Sequence, residues 1–184
     1  MELDSSDKLS HTTRGLHWLI ALTIIALWGV GWYMATNKVY PLYSWHKSFG
    51  ILVVLFAVVR VGWRIKNGWP SALPSHQQWE RALSKLVHWL LIISTILMPL
   101  SGMLMSAMGG HGLQLFGLEL FPHNPMPDNP QRNMPINKEL AELFHSVHGI
   151  AAKVLLVSLV LHVAGALKHH VIDKDNTLKR MLGR

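Results

Sequence analysis

Four stretches of the chain are apolar almost without interruption: 15 to 35 (GLHWLIALTIIALWGVGWYMA), 46 to 63 (HKSFGILVVLFAVVRVGW), 86 to 108 (LVHWLLIISTILMPLSGMLMSAM) and 148 to 167 (HGIAAKVLLVSLVLHVAGAL). Each is close to the ~20 residues that a helix needs to cross the hydrocarbon of a bilayer. A helix of a soluble bundle would carry a polar stripe along its length, and these runs carry none. The pattern predicts an all-α membrane protein, a four-transmembrane-helix bundle forming a single domain over residues 1–184. The first run is too long for the core of a signal peptide and lacks a small-residue cleavage site, so it is expected to remain as a helix.

The polar connections differ in kind. Residues 67–85 (NGWPSALPSHQQWERALSK) hold two prolines and are expected to form a short interfacial helix from about Ser75. Residues 109–137 (GGHGLQLFGLELFPHNPMPDNPQRNMPIN) are rich in Gly, Pro and Asn, and predict an ordered irregular cap over one mouth of the bundle. NKELAELFHS, at 137–146, reads as a helix that leads straight into the fourth run.

Charge turns this pattern into a topology. Of the 17 Lys and Arg behind the net charge of +7, twelve fall in 1–14, 60–85 and 168–184, and four in 36–47 and 109–147. By the positive-inside rule both termini and the middle connection are cytoplasmic, and the long connection faces outward from a bacterial inner membrane crossed by a multi-pass chain. The basic balance is thereby accounted for, and no nucleic-acid partner is inferred from it. Lys153 is the exception, a lysine inside the fourth run. It either snorkels to the headgroups or meets an anionic group near the outer boundary, which makes it the candidate catalytic residue.

Cysteine is absent. Disulfides, thiolate metal sites, iron–sulfur clusters and thioether haem attachment are therefore excluded, and any metal must sit on His, Met or oxygen. Histidine is abundant, with 12 residues. His148 and His162 are fourteen residues apart, which on a helix is ~21 Å of rise and only ~40° of rotation. They point the same way at two depths. His17, opening the first run, shares the inner level with His162; His46, opening the second, shares the outer level with His148. His88 also lies at the inner level and is a rival to His17, whereas His145 is ~100° off the His162 face and a poorer outer ligand. His11, His76, His169 and His170 fall beyond the inner boundary and His111 and His123 in the outer connection, where solvated or headgroup-facing imidazoles are expected.

Two neutral imidazoles facing each other across a bundle are what six-coordinate haem iron requires, and the apolar macrocycle suits a bundle interior. Zinc would need a third or fourth ligand converging on one level, and no level has Cys or acidic residues at helix depth to supply it. Arg60 follows His46 by fourteen residues, so it stands on the same face at the inner level, placed either to neutralise a haem propionate or to act as an ordinary basic anchor like Arg64 and Lys66.

GLHWL at 15–19, WHKSFGILVVLFAVVRVGWR at 45–64, PLSGMLMS at 99–106, LFGLELFP at 115–122 and HGIAAKVLLVSLVLHVAGALKHHVIDKDNTLKRML at 148–182 together resemble the bacterial cytochrome b561 family over nearly the whole chain. The resemblance implies four helices around two non-covalent, bis-histidine b haems, with His17 and His162 on the inner haem and His46 and His148 on the outer one. It implies electron transfer between the ubiquinone pool and an outer, periplasmic donor or acceptor. Superoxide is that donor for one such member, so a superoxide:ubiquinone oxidoreductase is an alternative, as is a cytochrome b subunit anchoring a soluble redox partner. His88, not needed as a ligand once His17 and His162 pair, is then expected in an inner quinone pocket. The sequence leaves the oligomeric state open, a homodimer included, and membrane lipid is the surrounding partner.

Overall fold

The computed structural model describes residues 3–5, 8–69 and 77–183. Four long helices make the body: α1 (His11–Asn37), α2 (Leu42–Asn67), α3 (Gln78–Met108) and α4 (Lys138–Val171). All four are long and apolar enough to cross a membrane. They exceed the apolar runs because the flanking polar turns stay helical: 26 residues, the shortest of the four, span ~39 Å at helical rise and so reach past the hydrocarbon into the headgroups. The α4 start at Lys138 confirms the helical reading of NKELAELFHS. The expected interfacial helix is not separate. Its start near Ser75 lies outside the described residues, and Gln78–Lys85 forms the first two turns of α3.

The ends of these helices are closed by local chemistry. Ser10 caps α1 by accepting from the Thr13 N–H, and Asn137 caps α4 by accepting from the Leu140 N–H at 3.0 Å. Gln77 and Glu80 form a reciprocal capping box on α3. α2 lies between α1 and α3, and α3 packs along α4. The 38–41 turn and the long connection lie at one end of the bundle, the loop end; both chain termini lie at the other, the termini end.

The long connection is not irregular. It folds into two hairpins, β1 (Leu113–Leu115) with β2 (Leu118–Phe121) and β3 (Pro125–Met126) with β4 (Asn129–Asn133), both antiparallel. The first turns on Phe116 and Gly117 with φ of 49° and 93°, the two positive values that a two-residue hairpin requires. Phe116 takes this conformation at a cost of about 1 kcal/mol, because its Cβ crowds the backbone there. The hairpin is fastened to α2: the Phe116 N–H donates to the buried Ser48 hydroxyl at 3.0 Å, and that hydroxyl lies 3.1 Å from the Gln114 carbonyl.

At the termini end the N-terminal segment is tied to α2. Arg64, expected as an ordinary basic anchor, is buried and pairs with Asp4 at 2.8 Å. Thr13 donates to the same carboxylate at 2.9 Å and accepts from the Trp63 indole at 2.8 Å. Lys168 pairs with Glu80 and, at 2.9 Å, with Asp173, clasping the end of α4 to the start of α3. A short helix, α5 (Thr177–Leu182), follows, and the Trp18 indole donates to the Met181 carbonyl at 3.1 Å.

Burial alone would raise the Asp4 carboxyl; the Ser10 N–H, the Arg64 guanidinium and the Ser10 and Thr13 side chains outweigh it and hold the carboxyl well below the usual range. A depressed folded value stabilises above an ordinary aspartate pKa of ~3.9, and the contribution is lost as pH falls below it. Asp4→Asn strands Arg64 and is expected to cost about 3 kcal/mol. Thermal unfolding in detergent should show that loss at neutral pH and a flattened response to acid relative to the unaltered protein.

Candidate functional site

Each pair of histidines expected to share a depth meets in the structure. The ring centres of His17 and His162 are 6.2 Å apart at the termini end, and those of His46 and His148 are 6.4 Å apart at the loop end. The spacing has a physical meaning. A metal held at ~2 Å by one nitrogen of each of two facing imidazoles sets their ring centres ~6 Å apart. His88 comes closer to His162, at 5.2 Å and edge-on. His145 is exposed, in keeping with its poorer angle.

The loop-end pair is set by its neighbours. Pro99 interrupts α3 and deprives the Thr95 carbonyl of its amide donor. Beside this break the Met98 carbonyl accepts from His148 Nδ1 at 2.7 Å, leaving Nε2 to face the interior with its lone pair. Glycines make room for both rings: a Cβ on Gly102 would lie 3.0 Å from His148 Cε1, and one on Gly31 would lie 3.1 Å from His46 Cε1. His46 Nδ1 is buried without a hydrogen-bond partner among the described residues. A cavity opens here between the helices, lined by Ile24, Leu27, Trp28, Val53 and Leu155 beside the two imidazoles. The Trp28 indole donates across it to the Ala152 carbonyl of α4 at 3.3 Å.

The termini-end pair is more polar. Arg60, half-buried, donates to His17 Nδ1 at 2.9 Å. His88 Nδ1 lies 2.6 Å from the Ser84 carbonyl and donates to it, which turns the other ring nitrogen away from its own helix. His169, expected to be solvated or to face headgroups, is half-buried against Asp173 at 2.7 Å.

Lys153 stands on the exposed flank of α4 with Ile150, Val157 and Val160, turned outward from the bundle. Lys47 is the loop-end lysine that sequence reasoning passed over, having counted it only as charge. Its ammonium donates to the Ser106 hydroxyl at 3.1 Å and to the carbonyls of His111 and Gly112 at 3.4 and 3.3 Å, stitching the start of α2 to the end of α3. Burial first, and then Lys47, push the His111 imidazole below its ordinary pKa. The adjacency of Lys47 to His46 was a usable signal; its acceptors, brought from more than fifty residues away, were not.

Residues 8–184 match the family described as prokaryotic cytochrome b561. The chain belongs to that family. It is 33% identical to "Cytochrome b561 homolog 2" of Escherichia coli (strain K12), over 98% of this chain and 94% of that protein. It is 28% identical to "Cytochrome b561 homolog 1" of the same organism, over 97% and 98%, and 27% identical to "Probable superoxide oxidase CybB" of Yersinia pestis, over 95% and 96%. The protein is thus an integral membrane, electron-transferring cytochrome of b type. The chemistry of the site fits a b-type haem: imidazoles in facing pairs and, at the loop end, glycines that leave room for the rings and an apolar cavity between helices.

Gly102→Ala and Gly31→Ala each bring a methyl group against a loop-end ring. Both are expected to shift the midpoint potential or lower the occupancy of one component of the reduced-minus-oxidised spectrum, the same component for both. Disturbance of two different components would separate His46 from His148.

Proposed function

We propose that His17 with His162 and His46 with His148 hold two b haems at two depths, and that the protein carries electrons between a loop-end redox partner and ubiquinone at the termini end. The observation carrying this reading is the near-equal spacing of the two same-level imidazole pairs. Haem iron held by two imidazoles supplies one-electron transfer and keeps no open position for a substrate.

The chain's own residues set the conditions for that transfer. The Met98 carbonyl fixes the tautomer of His148, so Nε2 is the free nitrogen. Arg60 places a positive charge at the termini-end pair, where it suits a propionate carboxylate and favours the reduced form. Twelve of the Lys and Arg fall in 1–14, 60–85 and 168–184, which supports cytoplasmic termini and a bacterial inner membrane with the hairpins on the periplasmic side. His88, beside His162 with Nδ1 donating to the Ser84 carbonyl, keeps a lone pair at Nε2, which can take up a proton from the termini end and then, as imidazolium, pass it to a quinone oxygen.

The name of the Yersinia relative favours superoxide as the loop-end donor. Two superoxide ions would each give one electron and leave as dioxygen, and two protons taken up at the termini end would complete the reduction of one quinone to quinol. Lys153, on the lipid-facing flank, is assigned no step. Stopped-flow mixing of the reduced protein with ubiquinone, and of the oxidised protein with superoxide, tests both halves. Reduction by superoxide slower than its spontaneous dismutation would remove that donor and leave a periplasmic redox protein.

Two substitution results are expected. His46→Ala and His148→Ala should remove one spectral component, and His17→Ala and His162→Ala the other. His88→Ala should keep both and slow reoxidation by ubiquinone at least ~10-fold, in the range lost with a general acid. Loss of a component in His88→Ala would make it the ligand in place of His17.

A further inference from the structure

The connection that carries the β1–β2 hairpin was expected to form an irregular cap over the bundle mouth, yet the hairpin's surface is unsuited to water. Phe116, Leu118 and Leu120 are all exposed, Leu118 at 65% of its full area. The polar residue between them, Glu119, instead reaches His123 at 3.5 Å. The hairpin is therefore two-sided.

Its apolar side continues a surface that already faces lipid. The Phe116 ring packs against Trp45 and Phe49 on the outside of α2, with ring centres 5.8 and 5.3 Å away. Trp45, Phe49, Phe56 and Val59 lie within ~40° of one line along α2, about a quarter turn from His46. Val59 is exposed well inside this membrane-crossing helix, so the stripe faces hydrocarbon. Trp45, Tyr40 and Tyr43 are exposed at its upper end, where aromatic residues mark the membrane–water boundary. Phe116, seated between Trp45 and Phe49, lies at that boundary. The hydrogen bonds to Ser48 hold the hairpin there, down against the flank of α2.

We infer that the β1–β2 hairpin is a lipid anchor, lying in the headgroup layer of the loop-end leaflet with Phe116, Leu118 and Leu120 toward the acyl chains and Glu119 toward water. The occupant of its apolar face is lipid. The second hairpin, β3–β4, with Asn129, Gln131 and Arg132 exposed, stands in water. The anchor acts beside the outer site: Ser48, which holds it, is two residues from His46, and Lys47 between them binds the end of α3. Hairpin depth in the leaflet thereby bears on where the loop-end imidazole sits. Any soluble partner has the β3–β4 side for approach.

The chain has no cysteine, so a single introduced thiol is the sole labelling site. Leu118→Cys, Leu120→Cys, Asp128→Cys and Val59→Cys would each carry a nitroxide in the haem-loaded protein in lipid nanodiscs, folding being checked by an unchanged b-type absorbance. Collision with dissolved oxygen and with a water-soluble nickel chelate would then be compared. Labels at 118 and 120 should be oxygen-accessible and shielded from nickel, resembling 59, while 128 is open to nickel. Nickel reaching 118 and 120 as readily as 128 would overturn the proposal and make the apolar face a docking surface for protein. If Leu118→Cys fails to fold, Leu120→Cys decides in the same way. The readout does not involve quinone or superoxide, so it stands or falls separately from the electron route.

Discussion

One face of α4 sets the terms for the rest of the bundle. His148 and His162 share that face at two depths, and a polar ring inside a bilayer is costly unless something meets it. α2 answers at the loop end with His46 and α1 answers at the termini end with His17. α3 supplies no member of either facing pair. It supports them, through the Met98 carbonyl and the space at Gly102 on one level and through His88 on the other. The helix that packs most closely on α4 is thus the one that orients its histidines.

The two ends of the bundle are stabilised by different means. At the termini end, ion pairs between segments distant in sequence, Arg64 with Asp4 and Lys168 with Glu80, draw the flanks together. At the loop end the fastenings are neutral or one-sided: Ser48 to the hairpin and Lys47 to two carbonyls and a hydroxyl, with no carboxylate. Lys47 makes these three bonds one residue from His46. That contrast follows from the distribution of basic residues, which leaves few charges on the loop side.

Much of this was legible from spacing. Helical rise and rotation suffice to put His148 level with His46, and His162 level with His17 and its rival His88, because depth and face in a spanning helix are functions of residue number. The hairpins were not legible. Their strands are two to five residues long, interrupted by Pro125 and Pro130, and the first turn uses Phe–Gly, where glycine or asparagine is the usual signal for positive φ. Arg64 was misread for a related reason. A basic residue at a helix end is ordinarily an anchor, and its partner Asp4 lies sixty residues earlier, a contact that only tertiary structure brings about.

On the proposed assignment, the two histidine pairs differ in how far the fold has prepared them to hold iron. A carbonyl can only accept, so Met98 forces the proton of His148 onto Nδ1 and leaves Nε2 as a ready donor of electrons. A guanidinium can only donate, so Arg60 forces the opposite on His17: Nδ1 accepts, and in the neutral ring the proton sits on Nε2. For His17 to ligate through Nε2, its proton must change nitrogen and Arg60 must find another acceptor. An anionic carboxylate is the natural one, since it pairs with a guanidinium more strongly than a neutral imidazole does. Arg60 thus links ligation by His17 to the arrival of an anion, whereas the loop-end pair carries no such condition.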